Sequence, residues 1–162
     1  MNDDCWLPGK SRHVSQICKK SIISTSDGDS EKLRNGHDRH IGEDMNGWTC
    51  QVGDWVEYKL EKPEKIKEIR LVFDSELSRF MPNMVSVYPI DPIVFKTPEQ
   101  MVKGFRLEAQ TADGGWKTLI IEGDNYQRLV RIPVDETVQS IKLTITATHG
   151  RKKVDVFSFD FK

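Results

Sequence analysis

Only a few groupings in this sequence have the residue types and spacing to do chemistry. His37-x-x-His40 with Cys50 offers zinc-type donors, but a His-x-x-His pair in a loop lacks the rigid platform and fourth ligand of such sites, so it reads as a solvated histidine pair. Asp74 and Glu76 follow an apolar run and imitate a glycosidase carboxylate pair, yet they are two residues apart in a loop. Neither Cys18 nor Cys50 has a His or Asp placed by sequence to activate it as a nucleophile. No catalytic residue, metal ligand or cofactor is assigned, and the chain is not expected to be an enzyme by itself. The remaining set suits recognition. His37, His40, Arg79, Phe80, His149 and Arg151 supply donors and one ring, the groups that hold a hydroxyl-rich or anionic sugar through stacking and paired N–H bonds.

The elements that would position these residues are strands. Val56, Tyr58 and Leu60 alternate with Glu57 and Lys59, and Ile69, Leu71 and Phe73 alternate with Glu68 and Arg70, as strands with one wet face require. Lys62-Pro63-Glu64 separates the two runs and reads as a turn. Further strands are predicted at residues 105–111, 116–121, 127–132, 141–147 and 154–161, with a short one at 21–25. The total is about eight, a common number for a two-sheet antiparallel jelly roll. Thr97-Pro98-Glu99-Gln100 carries a capping Thr, Pro at the first helical position and Gln three residues after the cap, which predicts one short helix toward Val102. Residues 1–20 read as an irregular lead-in, and residues 21–162 as the sandwich.

If successive strands run antiparallel, alternate connections share an end. The turns at 61–65, 112–115 and 133–140 fall at one end. At the other fall 26–53, 75–104, 122–126 and 148–153, the first two of which are far longer than the usual connection of about four to six residues. Long loops gathered at one rim of a rigid sandwich are the expected binding place. The aromatics on the strands read as core, with Trp116 laid over the core edge and Trp48 as the buried anchor of its loop.

Composition narrows the partners. There are 24 Lys and Arg against 25 Asp and Glu, so no large positive field exists to hold nucleic acid or an anionic membrane surface. No apolar run approaches the roughly eighteen residues of a membrane helix, and Met1-Asn2-Asp3-Asp4 does not resemble the start of a signal peptide. Three cysteines, Cys5, Cys18 and Cys50, do not make a disulfide framework, and whether any two pair is not readable from their spacing.

Two stretches carry a family resemblance. The run from Phe105 through Asp113-Gly114-Gly115-Trp116 to Leu119 resembles the strand, Asp-Gly turn, Trp, strand of galactose-binding-like β-sandwiches, the discoidin or coagulation-factor type C domains and related carbohydrate-binding modules. Asn35-Gly36, Trp48 and then Trp55-Val56-Glu57-Tyr58-Lys59-Leu60 resemble a second motif of that family. The resemblance implies an all-β, two-sheet antiparallel sandwich over residues 21–162. Many members hold calcium with an Asp of the Asp-Gly pair, a Thr a few residues on and a last-strand Glu. At these places this chain has Asn35, Arg39 and Ser158. An arginine repels calcium, so Arg39 is expected either to replace the ion, tying the loop to carbonyls or to Asp38 or Asp155, or to lie exposed. Asn35, Gly36, Arg39 and Trp48 are thus the loop-structuring set.

Asp3-Asp4-Cys5-Trp6-Leu7-Pro8, Asn35-Gly36-x-x-Arg39-x-x-Gly42, Arg70-Leu71-Val72-Phe73-Asp74 and Met101-Val102-Lys103-Gly104-Phe105-Arg106-Leu107-Glu108 also look like the C-terminal part of bacterial FAD-dependent oxidoreductases. That resemblance implies an upstream catalytic domain of the same protein, with residues 1–20 a remnant of it. A periplasmic or secreted location follows only if that parent carries a signal peptide. No Gly-x-Gly-x-x-Gly follows a strand here, so FAD would not bind this part. Two readings result: a non-catalytic carbohydrate-binding module, or a structural domain packed on its parent enzyme with no free ligand.

Overall fold

The computed structural model describes residues 11–76 and 97–162. Seven strands, β1 (Ile22–Thr25), β2 (Trp48–Gln51), β3 (Trp55–Phe73), β4 (Val102–Thr111), β5 (Trp116–Glu122), β6 (Leu129–Thr148) and β7 (Lys153–Phe161), pair antiparallel in the order β2-β7-β3-β6-β4-β5, with β1 on β3.

Two of these strands are long enough to serve both layers. Near its start β3 pairs with β1 (Val56 opposite Thr25) and with the second half of β6 (Trp55 opposite Thr144). Near its end it pairs with the first half of β6 (Val72 opposite Leu129) and with β7 (Leu71 opposite Phe159). Pro63 has no N–H to give the ladder, and the register shifts between Lys59 and Glu64. The chain therefore bends at Lys62-Pro63-Glu64 and continues as a strand, where the sequence predicts a turn. The predicted Pro133–Ser140 turn is likewise interior to β6.

The bend folds the sheet onto itself, so the apolar alternations of β3 face one another across the core. Tyr58 from its first half meets Phe159 and Phe161 of β7 edge-on, with ring centroids 5.0 and 5.3 Å apart. Phe73 from its end meets Phe105 of β4 at 5.4 Å. Val56, Tyr58, Ile69, Leu71, Phe105, Leu107, Leu143 and Phe159 are all fully buried.

Several local expectations change. Trp48 is fully buried and donates its indole N–H to the Asp27 carbonyl at 2.8 Å, as a buried anchor should, but it opens strand β2 rather than lying in a loop. Thr97-Pro98-Glu99-Gln100 makes a single turn, closed by Met101 N–H to the Pro98 carbonyl at 3.0 Å, because β4 begins at Val102 and claims the next residues. The α-helix lies instead in the segment that reads as an irregular lead-in: α1 (Gln16–Lys20) is capped by the Ser15 side chain and buries Cys18. Trp116 is 47% exposed, since β5 is the outermost strand of the described sheet and pairs with β4 on one side only. Cys18 and Cys50 are buried free thiols, and Cys5 lies outside the described residues.

Candidate functional site

Four connections meet at one end of the sandwich. His149 donates its N–H to Met101 at 3.1 Å, Arg151 to Glu99 at 3.0 Å, Asn125 to Lys103 at 2.8 Å, and Gly53 to Ile145 at 2.9 Å. These backbone bonds join the segments around 51–54, 97–101, 123–128 and 148–152 into a single rim, as loop parity predicts.

The rim holds a shallow depression of about 270 Å³ lined by Gln51, Val52, Thr148, Gly150, Arg151 and Lys152. Beside it the His149 ring lies 4.9 Å from that of Tyr126, and its Nε2 is 2.7 Å from the Asn125 carbonyl. Asn125 is itself buried and donates its side-chain amide to the Val102 and Gln127 carbonyls, which fixes the short connection that carries Tyr126. Tyr126 is 59% exposed. The rim thus combines a half-open ring, an imidazole, a side-chain amide and two exposed cations around a wet depression. That set can stack on an apolar face and bond hydroxyl or carboxylate oxygens at its edge.

A second group lies where the 35–46 loop is pinned against β3 and β7. Arg70 forms a two-point pair with Asp38, at 3.0 and 2.5 Å. Arg12 donates to Asp160 at 2.6 Å and to the Ser158 hydroxyl at 3.0 Å, and Arg128 donates to the Asp38 carbonyl. Gly36 is wedged against the chain at Arg12, whose N–H donates to the Gly36 carbonyl at 2.7 Å. Asn35 accepts from His37 N–H at 2.8 Å and donates to Asn46 at 2.9 Å. Arg39 makes no hydrogen bond or ion pair among the described residues. The guanidinium groups that reach Ser158 and Asp38 belong to Arg12 and Arg70, because β3 and the segment before α1 run closer to β7 than the loop's own arginine does. Asp155 is held instead by the Thr49 hydroxyl at 2.6 Å.

Between Val72 and Phe73 the register of β3 against β7 slips, which turns Phe157 away from the core line of Phe159 and Phe161. His40 packs edge-on against Phe157, with centroids 5.1 Å apart, and the Arg128 guanidinium lies 5.5 Å from the centre of the same ring. Burial is the main cause pulling Arg128 below the ordinary arginine value, and the charges of Asp38 and Asp74 oppose it.

Of the six residues predicted to bind, His149 and Arg151 come together at the rim. His37 is tied to the Asn35 side chain through its backbone N–H, His40 lies on Phe157, and Arg79 and Phe80 are outside the described residues. Sequence reasoning missed Tyr126 and Gln51. The signal available for Tyr126 was a lone aromatic in a short polar connection at the correct end. The groups with the largest upward displacements are core residues: burial, then the Asp160 charge, pushes the Cys18 thiol to about 12, and burial raises Cys50 and Tyr58.

No protein-family model matches this sequence, and comparison with curated proteins finds no match. Solved structures do match over nearly the whole chain. A family 32 carbohydrate-binding module from Streptococcus pneumoniae EndoD is 18% identical, with a TM-score of 0.65 over 91% of this chain and 99% of that one. The family 32 module of C. perfringens NanJ, solved in complex with galactose, is 9% identical with a TM-score of 0.60 over 91% and 97%. A chitosan-binding module from a Paenibacillus sp. IK-5 chitosanase/glucanase is 9% identical with a TM-score of 0.59 over 93% and 99%. The fold is the galactose-binding-like β-sandwich that these modules share.

Proposed function

We propose that this domain is a non-catalytic carbohydrate-binding module that takes a hydroxyl-rich or anionic sugar at the rim formed by residues 51–54, 123–128 and 148–152. The observation that carries the reading is the half-exposed Tyr126 ring, in tilted contact with His149, beside the depression lined by Gln51 and Arg151. Tyr126 offers a face to the sugar ring, and Arg151 and Gln51 offer paired donors to its oxygens. The fold shared with carbohydrate-binding modules supports this reading. Arg79 and Phe80 belong to the proposal through loop parity alone. So does an upstream FAD-dependent catalytic domain, which rests only on the motifs quoted above.

A shallow rim buries little area, so affinity should be about millimolar to micromolar for one module. NMR titration of the isolated chain with a panel of neutral and uronic sugars tests this. Shifts should cluster at Tyr126, His149 and Arg151, and Tyr126→Ala should weaken binding about tenfold, the value of a lost stacking contact of ~1.5 kcal/mol. Shifts confined to Ala112–Gly115, or no response to any sugar, would overturn the reading and leave the packing-domain alternative.

A further inference from the structure

We infer that His40, Asp74 and Asp155 form a binding site for a divalent transition-metal ion of the zinc class, clamping the 35–46 loop to the ends of β3 and β7. One ring nitrogen of His40 and one carboxylate oxygen each of Asp74 and Asp155 lie within 4.8 Å of one another. They come from three segments far apart in sequence, joined here because Asp74 N–H donates to the Asp155 carbonyl at 2.9 Å and His40 is seated on Phe157.

Donors around a zinc ion bound at about 2.0–2.2 Å are separated by roughly 3.4 Å, so closing the set needs side-chain movement of at most about 1.5 Å. The carboxylates are already oriented. Asp74 Oδ1 accepts from Glu76 N–H at 2.8 Å and Asp155 Oδ1 from the Thr49 hydroxyl at 2.6 Å, which leaves Oδ2 of each without a hydrogen bond among the described residues. Such outer contacts are what hold metal-binding carboxylates in place.

His40 adds an independent sign. Its Nε2 is sealed from solvent and has no hydrogen-bond partner, an arrangement that costs free energy unless something accepts from it or binds it. Two carboxylates and a neutral imidazole bring two negative charges to a divalent ion. Arg128 is near enough for its charge to interact with that of Asp74, and its guanidinium is engaged by the Asp38 carbonyl and the Phe157 ring. One nitrogen with only two carboxylates favours zinc, cobalt or manganese over calcium, which needs six to eight oxygens. The site uses none of Asn35, Arg39 or Ser158, the places where the family resemblance puts calcium, and it does not depend on sugar binding at the Tyr126 rim.

The test is titration of chelator-treated, tag-free protein with Zn2+, Co2+ and Ca2+ separately, read by calorimetry, melting and NMR of the four histidines. One saturable Zn2+ site should appear, with Tm raised by about 5–10 °C at a hundredfold excess over Kd. The His40 imidazole should shift while His13, His37 and His149 do not. His40→Gln and Asp155→Asn should each weaken Zn2+ at least about tenfold, whereas His37→Ala should not. Should a variant fail to fold, Co2+ on the unaltered chain decides: weak visible bands without a thiolate charge-transfer band support an N/O site. No saturable Zn2+ binding, shifts at another histidine, thiolate bands from Co2+, undiminished binding by His40→Gln, or an equal response to Ca2+ would each overturn it.

Discussion

Gly36 sits where the 35–46 loop crosses the segment that leads into α1. Its φ of +86° belongs to the left-handed region, and a Cβ built there would collide with the Arg12 carbonyl oxygen. Both conditions are met only by glycine. Gly36→Ala should therefore cost about 2–4 kcal/mol in urea unfolding, the sum of strained backbone and a displaced neighbour, and should speed amide exchange in residues 12–18 before the rest of the chain. A loss under about 0.5 kcal/mol would mean that the crossing gives way freely. The resemblance drew attention to Asn35-Gly36 through calcium. The physical demand on this glycine comes instead from a chain crossing more than twenty residues away in sequence, which no local pattern reports.

At the scale of the element, what matters is how many sides of a strand are covered. Phe159 on β7 pairs with Leu71 of β3, has Cys18 of α1 against its carbonyl and meets the Tyr58 ring across the core, whereas Trp116 begins the edge strand β5 and is half open to water. Phe159→Ala should cost about 3–5 kcal/mol, as for other enclosed rings, and Trp116→Ala under about 1 kcal/mol. Parallel denaturation of the two variants checks this, and equal losses would contradict the strand order. The alternations of β3, β4 and β7 were legible because period two survives a bend. The bend itself was not, since Pro63 looks the same whether a strand stops or turns a corner, and only the partner β6 decides. Strand β2 was hidden because four residues, Trp48–Gln51, alternate too briefly to stand out from a polar loop. Loop parity correctly brought His149 and Arg151 to the rim. It could not find His40, Asp74 and Asp155 together, because their meeting depends on the one-residue slip of β7 at Phe157.

For the molecule as a whole, the buried thiols set an alkaline limit. The Cys18 thiol is raised to about 12 chiefly by burial, from an ordinary value of 9.0, and Cys50 moves the same way. Above pH 9 the unfolded chain gives up these protons while the folded one keeps them. The contribution to stability is thus intact below pH 9 and is lost as pH rises toward 12. Unfolding free energy should fall between pH 8.5 and about 10.5, and a Cys18→Ala, Cys50→Ala double variant should show a shallower fall. A thiol reagent at pH 8 should modify Cys18 and Cys50 only as fast as the chain opens. The contacts of Arg12 and Ser15 with Asp160 and Phe161 have a different consequence. They hold the segment before α1 against the last residues of β7, about seven residues, or roughly 23 Å of strand, from Val154. Changes made at that end of β7 should therefore leave the backbone bonds of the rim undisturbed.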